Sequence, residues 1–208
     1  MKKICLVVGD IILDKYLYGI VSRISPEAPI PIVSIKNETE MLGGAANVAA
    51  NLKGLGLRVV LCSVSGNDYE GKVLNRLMEE KDIAYKGIQG DKRTTVKTRI
   101  VGQNQQIVRI DKDDVRELNQ EEEQLLIENL QIYAEQAECI IISDYRKGVC
   151  TKRVCQYLIE TAHKHGGKVL VDPKQSDWSR YYNADIIKPN FGEFCAVAGK
   201  VLENTEND

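Results

Sequence analysis

A glycine pair, Gly43-Gly44, runs straight into the alanine-rich stretch Ala45-Ala46-Asn47-Val48-Ala49-Ala50-Asn51. Two residues without Cβ let a backbone approach a ligand closely, and the first turn of a following helix offers N–H groups that have no partner within the helix. Such a junction makes a floor for a polar small molecule. Asn47 and Asn51 lie one helical turn apart on one face, and the amide of Asn47, nearest the helix start, both donates to and accepts from sugar-type hydroxyls. Asp14 follows the apolar runs at residues 4–8 and 11–13. A carboxylate there can accept ligand hydroxyls, each hydrogen bond contributing about 1.5 to 3 kcal/mol. The plainer roles stay open on residue type alone: the glycines as a turn that seats a helix close to a sheet, Asp14 as a turn or cap residue.

Elements must bring these groups to one place. Residues 4–8 are a continuous apolar run of the buried-strand kind that stops at Gly9-Asp10. After the Gly43 helix come a strand over 58–64, stopping at Gly66-Asn67-Asp68, and a helix to about Lys81. A glutamate-rich helix over 120–137 leads to a strand over 139–142 and Ser143-Asp144-Tyr145. A helix over 151–165 leads to a strand over 169–171 and Asp172-Pro173-Lys174. Residues 184–187 then precede Lys188-Pro189-Asn190-Phe191-Gly192-Glu193, which opens a last helix. Repeated strand-helix units predict an α/β fold with a mostly parallel central sheet flanked by helices. Ligands of such sheets bind beyond the carboxyl ends of the strands. Asp10, Asp14, Gly66, Asp144, Asp172, Lys174, Asn190 and Glu193 all fall there.

Two stretches leave this pattern. Residues 15–36 carry Pro26, Pro29 and Pro31, which exclude a helix, and residues 94–111 read as a hairpin around Gly102-Gln103-Asn104. Together they predict a small antiparallel β lid.

Composition narrows the partner. With 28 basic and 30 acidic residues the formal net charge is -2, so no broad basic footprint points to nucleic acid. No run approaches the roughly 18 apolar residues of a membrane span, and residues 4–8 are too short for a signal-peptide core, so a cytoplasmic protein without membrane contact is expected. The six cysteines are scattered with no C-x-x-C pair and read as small reduced core residues. His163 and His165 do not share a helical face, which argues against a metal site there.

The Gly43-Gly44-Ala45-Ala46-Asn47-Val48-Ala49 signature with Gly56 and Gly66 resembles the ribokinase-like (PfkB) carbohydrate kinase family. Gly9-Asp10-Ile11-Ile12-Leu13-Asp14, Arg23-Ile24-Ser25-Pro26-Glu27-Ala28-Pro29, Asn104-Gln105-Gln106, Ser143-Asp144-Tyr145 with Lys147-Gly148, and Asp172-Pro173-Lys174 sharpen the likeness. Together they resemble the kinase half of the heptose phosphate kinases, which make D-glycero-D-manno-heptose 1,7-bisphosphate for ADP-heptose synthesis. The resemblance reaches to Gly199. It implies a ribokinase-like domain over 1–200 with a lid from about 15–36 and 94–111, a polar tail over 201–208, and a homodimer through the lid strands. It assigns Asp14, Gly43, Gly44 and Asn47 to sugar hydroxyls. It assigns Lys174, Asn190 and Glu193 to the nucleotide, with Glu193 acting on Mg²⁺ through water and ATP as co-substrate. Asp144 joins the substrate side, and Arg99, Arg109 and Lys147 are expected at a substrate phosphate from their charge and placement, a solvated surface charge being the other role.

Family members continue to a glycine-rich Gly-Ala-Gly-Asp loop whose Asp is the base for the accepting hydroxyl. No Gly-x-Gly-Asp occurs in these 208 residues, so no catalytic base is assigned and weak turnover or none is expected. A non-catalytic sugar-phosphate binder is the alternative. A nicotinamide-dependent oxidoreductase is disfavoured because no G-x-G-x-x-G follows the first strand.

Overall fold

Runs of Val, Ile and Leu build the centre of the molecule. The computed structural model describes residues 4–174 and 176–200, so the polar tail lies outside the described residues. The chain opens with β1 (Ile4–Gly9), buried at every position, and turns at Asp10 into a long hairpin of β2 (Ile11–Ile24) and β3 (Pro31–Gly44). β3 runs without a break into α1 (Ala45–Gly54). Then come β4 (Arg58–Cys62), β5 (Val64–Gly66), α2 (Tyr69–Glu80), β6 (Ala84–Tyr85) and β7 (Ile88–Gly90). A second hairpin, β8 (Thr95–Gly102) and β9 (Gln105–Lys112), leads to α3 (Gln120–Gln136) and β10 (Ala137–Ser143). The described chain closes with α4 (Lys152–Lys164), β11 (Lys168–Asp172), a 3-10 turn (Trp178–Tyr181), β12 (Ile186–Ile187) and α5 (Phe191–Ala198).

The central sheet has the order β12-β11-β10-β1-β4-β6, and every pair in it is parallel. Such a sheet is covered on both faces, and two apolar clusters do this. Leu6 and Val8 of β1 pack with Leu126 and Leu130 of α3 and Leu158 of α4. Val7 packs with Ala45, Ala46 and Ala49 of α1 and Val73 and Leu74 of α2. Small alanines let α1 lie close to the sheet.

The lid is a four-stranded sheet of order β3-β2-β8-β9. Each hairpin is antiparallel, and the two are joined by parallel pairing of β2 with β8. Its strands are longer than the sequence pattern predicts, because charged residues such as Lys15, Glu38 and Glu40 continue the ladder where an apolar alternation stops. The strand expected over 58–64 divides at Ser63, which leaves the sheet to donate its hydroxyl to the Gly9 carbonyl at 2.5 Å. Among the described residues no helix is long and apolar enough to cross a membrane.

Candidate functional site

The glycine junction sits where β1, β2 and α1 meet. Gly44 has φ 58, a region that favours glycine, and a Cβ there would run into the Asp10 carbonyl. A Cβ on Gly43 would overlap the Asp14 carboxylate, so the missing side chain is what lets Asp14 stand against the floor. No side chain caps α1; the Ala45 N–H donates to the Asp10 carbonyl at 2.9 Å, and Asn47 is exposed in the first turn. Asp14, Gly43, Gly44 and Asn47 therefore occupy one corner.

Register then places charge beside that corner. Asp14 on β2 is level with Lys97 on β8, which is level with Asp111 on β9; Tyr16, Arg99 and Arg109 form the next row. Residues two apart share a face of a strand, so these six side chains line one face of the lid. Arg99 donates to Asp14 at 2.5 Å and lies over the Tyr16 ring at 5.1 Å. Burial disfavours the Arg99 charge, but the Asp14 hydrogen bond and charge, with Tyr16 and Asp111, together outweigh it and raise the Arg99 pKa. Arg109 grips Asp111 in its own strand at 2.8 and 3.0 Å. Lys97 reaches the other way, 5.7 Å from the centre of the Tyr145 ring, and its pKa falls through burial and the nearby Arg109 and Lys147 charges, against the pull of Asp111 and Asp14. Lys97 is the residue that sequence reasoning missed. Its signal was its spacing, two residues before Arg99 on a strand that faces the site.

Asp10 and Asp144 have a different task from the one their strand-end positions imply. Asp10 is 1% exposed, and its carboxylate accepts the Tyr145 and Lys147 N–H groups at 2.8 and 3.0 Å on one oxygen and the Val149 N–H at 3.0 Å on the other. Asp144, expected on the substrate side, is 3% exposed and accepts the Arg146 N–H at 2.6 Å and the Tyr181 hydroxyl. Burial, only partly offset by Tyr181, raises the Asp144 pKa. Asp144 thus supports the loop from beneath. Asp10, Asp144 and Cys150 are the one acid-and-cysteine group among the described residues close enough to hold a metal ion, but N–H and O–H donors already fill the carboxylate oxygens.

The loop so held shapes a cleft of about 590 Å³ lined by Tyr145, Arg146, Lys147, Gly148 and Lys174. The Lys147 ammonium is paired with Asp113, and its carbonyl accepts from the buried Lys92. Across the cleft Lys174 donates to Glu193 at 2.8 Å. Asn190 caps α5: its side chain accepts the Glu193 N–H and Glu193 accepts the Asn190 N–H, both at 2.9 Å. Burial works against the Glu193 charge, and Lys174 together with the Asn190 N–H more than compensates, so its pKa is lowered. Asp172, at the end of β11, is shifted upward by burial and by the Glu193 charge, against Lys188 and Lys174. Two carboxylates and a helix start therefore gather around Lys174 at the edge of the cleft.

The comparisons with known proteins bear on the family and the fold. The pfkB family carbohydrate kinase description matches residues 2–208. A protein of Helicobacter acinonychis (strain Sheeba) named Bifunctional protein HldE is 46% identical over 192 residues, covering 91% of this chain and 41% of that protein. The Bifunctional protein HldE of Citrifermentans bemidjiense is 41% identical over 204 residues, covering 97% of this chain and 42% of its own length. The chain thus spans about two fifths of these relatives. Among solved structures, phosphofructokinase-2 from Escherichia coli in complex with potassium superimposes with TM-score 0.77 at 21% identity, covering 100% of this chain and 66% of that one. Arabidopsis thaliana ribokinase complexed with ribose and ATP gives 0.68 at 16%, with 100% and 66% covered. These two likenesses show a ribokinase-like fold. Together with the family match along its length, the two relatives above 40% identity mean that the chain belongs to the pfkB family of carbohydrate kinases.

Proposed function

We propose that this chain carries the sugar-phosphate site of an ATP-dependent sugar kinase acting on D-glycero-D-manno-heptose 7-phosphate, with the anomeric hydroxyl as acceptor and heptose 1,7-bisphosphate, a precursor of ADP-heptose, as product. The observation that carries this reading is the pairing of a hydroxyl-binding corner with a cationic wall. Asp14 stands against Gly43, and Lys97, Arg99 and Arg109 lie on the same face of the lid. A neutral sugar needs the first and not the second; a phosphorylated sugar uses both.

In this reading the Asp14 carboxylate and the Asn47 amide orient the sugar, and Lys97, Arg109 and Lys147 meet its phosphate. Lys174, Asn190 and Glu193 face the nucleotide. Both oxygens of Glu193 already accept hydrogen bonds, so a hard divalent cation such as Mg²⁺ fits there through its waters and not by direct ligation. That cation would neutralise charge on the transferring phosphoryl group, while the side chains named here supply positioning. Ile20, Ile24 and Ile110 are exposed on the lid strands, which supports pairing of two copies there; light scattering tests it.

The test is calorimetric titration of heptose 7-phosphate and of the unphosphorylated heptose, with and without Mg-ATP. Asp14→Ala is expected to weaken both sugars. Lys97→Ala should weaken only the phosphorylated one, by about 10- to 100-fold for the loss of one charge-assisted contact. Equal affinity for the two sugars, or an Asp14→Ala chain that binds like the parent, overturns the reading. Mg-ATP and the sugar tightening one another fits a kinase, whereas sugar-phosphate binding indifferent to Mg-ATP fits a silent binder.

A further inference from the structure

Cys5 and Cys139 are register partners on the adjacent parallel strands β1 and β10. Neighbouring strands run about 4.8 Å apart, inside the roughly 4.4 to 6.8 Å of Cα separation that a disulfide spans. The ladder slips at this point: Ile4 faces Ala137 and Cys5 faces Cys139, so Glu138 forms a bulge. A bulge bends its strand and interrupts the ladder, which makes room for the small backbone adjustment a cross-link needs.

The two thiols differ in ways that complement each other. Cys5 is buried and Cys139 is half-buried. The neighbouring Cys139 sulfur, reinforced by burial, raises the Cys5 pKa. The same contact lowers the Cys139 pKa, with burial and the Glu138 and Asp185 carboxylates opposing it. A partly exposed sulfur that gains thiolate character beside a protonated one has the arrangement of an attacking and a resolving thiol.

The other cysteines sharpen the contrast. Cys150 and Cys155 are also in contact, but they are 2% and 0% exposed and sealed in the core. Cys62 is buried too, and burial pushes its thiol up to about 12. Cys195 is half-buried on α5.

We propose that Cys5 and Cys139 form a thiol–disulfide site at the amino-terminal edge of the central sheet, oxidised by low-molecular-weight disulfides. The Cys139 thiolate attacks one sulfur of the external disulfide, whose S–S bond breaks and releases one thiolate. The Cys5 thiol then gives its proton to solvent and attacks the Cys139 sulfur of the mixed disulfide, expelling the second external thiolate. Two protein sulfurs are oxidised and one external disulfide is reduced to two thiols. The site lies at the opposite ends of the strands from the sugar-phosphate corner, so the bridge is expected to leave sugar binding unchanged and does not depend on the reading of that corner.

Oxidised glutathione is incubated with the native wild-type chain, followed by alkylation, digestion and peptide mass mapping. The expected result is one peptide pair joined through Cys5 and Cys139, lighter by two hydrogens and separated again by dithiothreitol. Cys62, Cys150 and Cys155 should alkylate only after unfolding. In the Cys5→Ser chain, glutathione should stay trapped on Cys139. A wild-type chain that keeps glutathione on Cys139, leaves both thiols free, or bridges Cys5 to any other cysteine overturns the proposal.

Discussion

Three aspartates near the strand ends show how much of a site is decided by what a side chain already holds. Asp10 and Asp144 spend their oxygens on the loop from Tyr145 to Val149 and on Tyr181, while Asp14 faces Arg99 at the edge of the sugar corner. Two substitutions separate these roles. In Gly43→Ala the new methyl group displaces the Asp14 carboxylate and with it the Arg99 pair. Heptose 7-phosphate affinity should fall about tenfold or more while stability falls by only about 1 to 2 kcal/mol, checked by calorimetry beside urea unfolding. In Tyr181→Phe the ring stays and the hydroxyl that serves Asp144 goes, which should cost about 1 to 3 kcal/mol of stability in the same urea measurement. That Asp14, Gly43 and Gly44 meet at one corner was legible in the sequence because an aspartate just past the first strand and a glycine pair opening a helix both belong at the carboxyl end of the sheet. The task of Asp10 was not, because its N–H partners lie 135 to 139 positions away and no local pattern marks them.

At the level of elements, the start of α3 is where a carboxylate does most to fix one segment against another. Glu122 closes the capping box with Asn119, accepts the Asp91 N–H at 3.0 Å, and is held by Arg116 at 2.7 and 2.8 Å. The Arg116 hydrogen bonds lower its pKa to about 2 against the cost of burial. The folded value lies below the unfolded one, so the stabilisation is fully present above the unfolded value of about 4.5 and is lost as pH falls toward about 2. At about 1.4 kcal/mol per unit this amounts to roughly 3 kcal/mol at neutral pH. Glu122→Gln should therefore destabilise the chain by about 2 to 3 kcal/mol at pH 7 and by little near pH 2, with urea midpoints across pH as the check; a constant difference across that range would refute the linkage. The helix itself was readable from its glutamates and its start after Asn119. The junction was not, since residues 91 and 116 lie in connections whose path no periodicity predicts. The lid strands fail for a related reason: with both faces partly in water, Lys15 and Glu40 carry no apolar alternation to extend the pattern.

On the scale of the whole molecule, the lid and the central sheet are one continuous construction, since β1 passes into β2 through Asp10 alone and β3 passes into α1 with no intervening loop. The lid's outer side is tied to α2 by Arg76 on Glu40 at 3.1 Å, by Lys112 on Glu70 at 3.2 Å, and by Lys15 over the Tyr69 ring at 5.6 Å, while Lys15 on Glu40 at 3.2 Å joins β2 to β3 within the lid. Exposed pairs of this kind contribute about 0 to 1 kcal/mol each, too little to hold up the fold but enough to shift a local opening equilibrium severalfold. Glu40 is the hub, so Glu40→Gln removes one tie to α2 and one cross-strand pair of the lid at once without touching either apolar cluster. Amide exchange should then quicken at residues 15–18 and 37–41, while β1 and β10, buried between α1, α3 and α4, keep their protection. Global stability should drop by no more than about 1 kcal/mol. Faster exchange spread evenly over both sheets would mean that the ties support the whole fold. No change in the lid would mean that the pairing of β2 with β3 and β8 holds its strands without these ion pairs. A lid that loosens while the sheet does not is the outcome that suits the proposed sugar site, because Asp14 and Arg99 both lie on the lid and a lid able to open and close would carry their charges to and from the ligand.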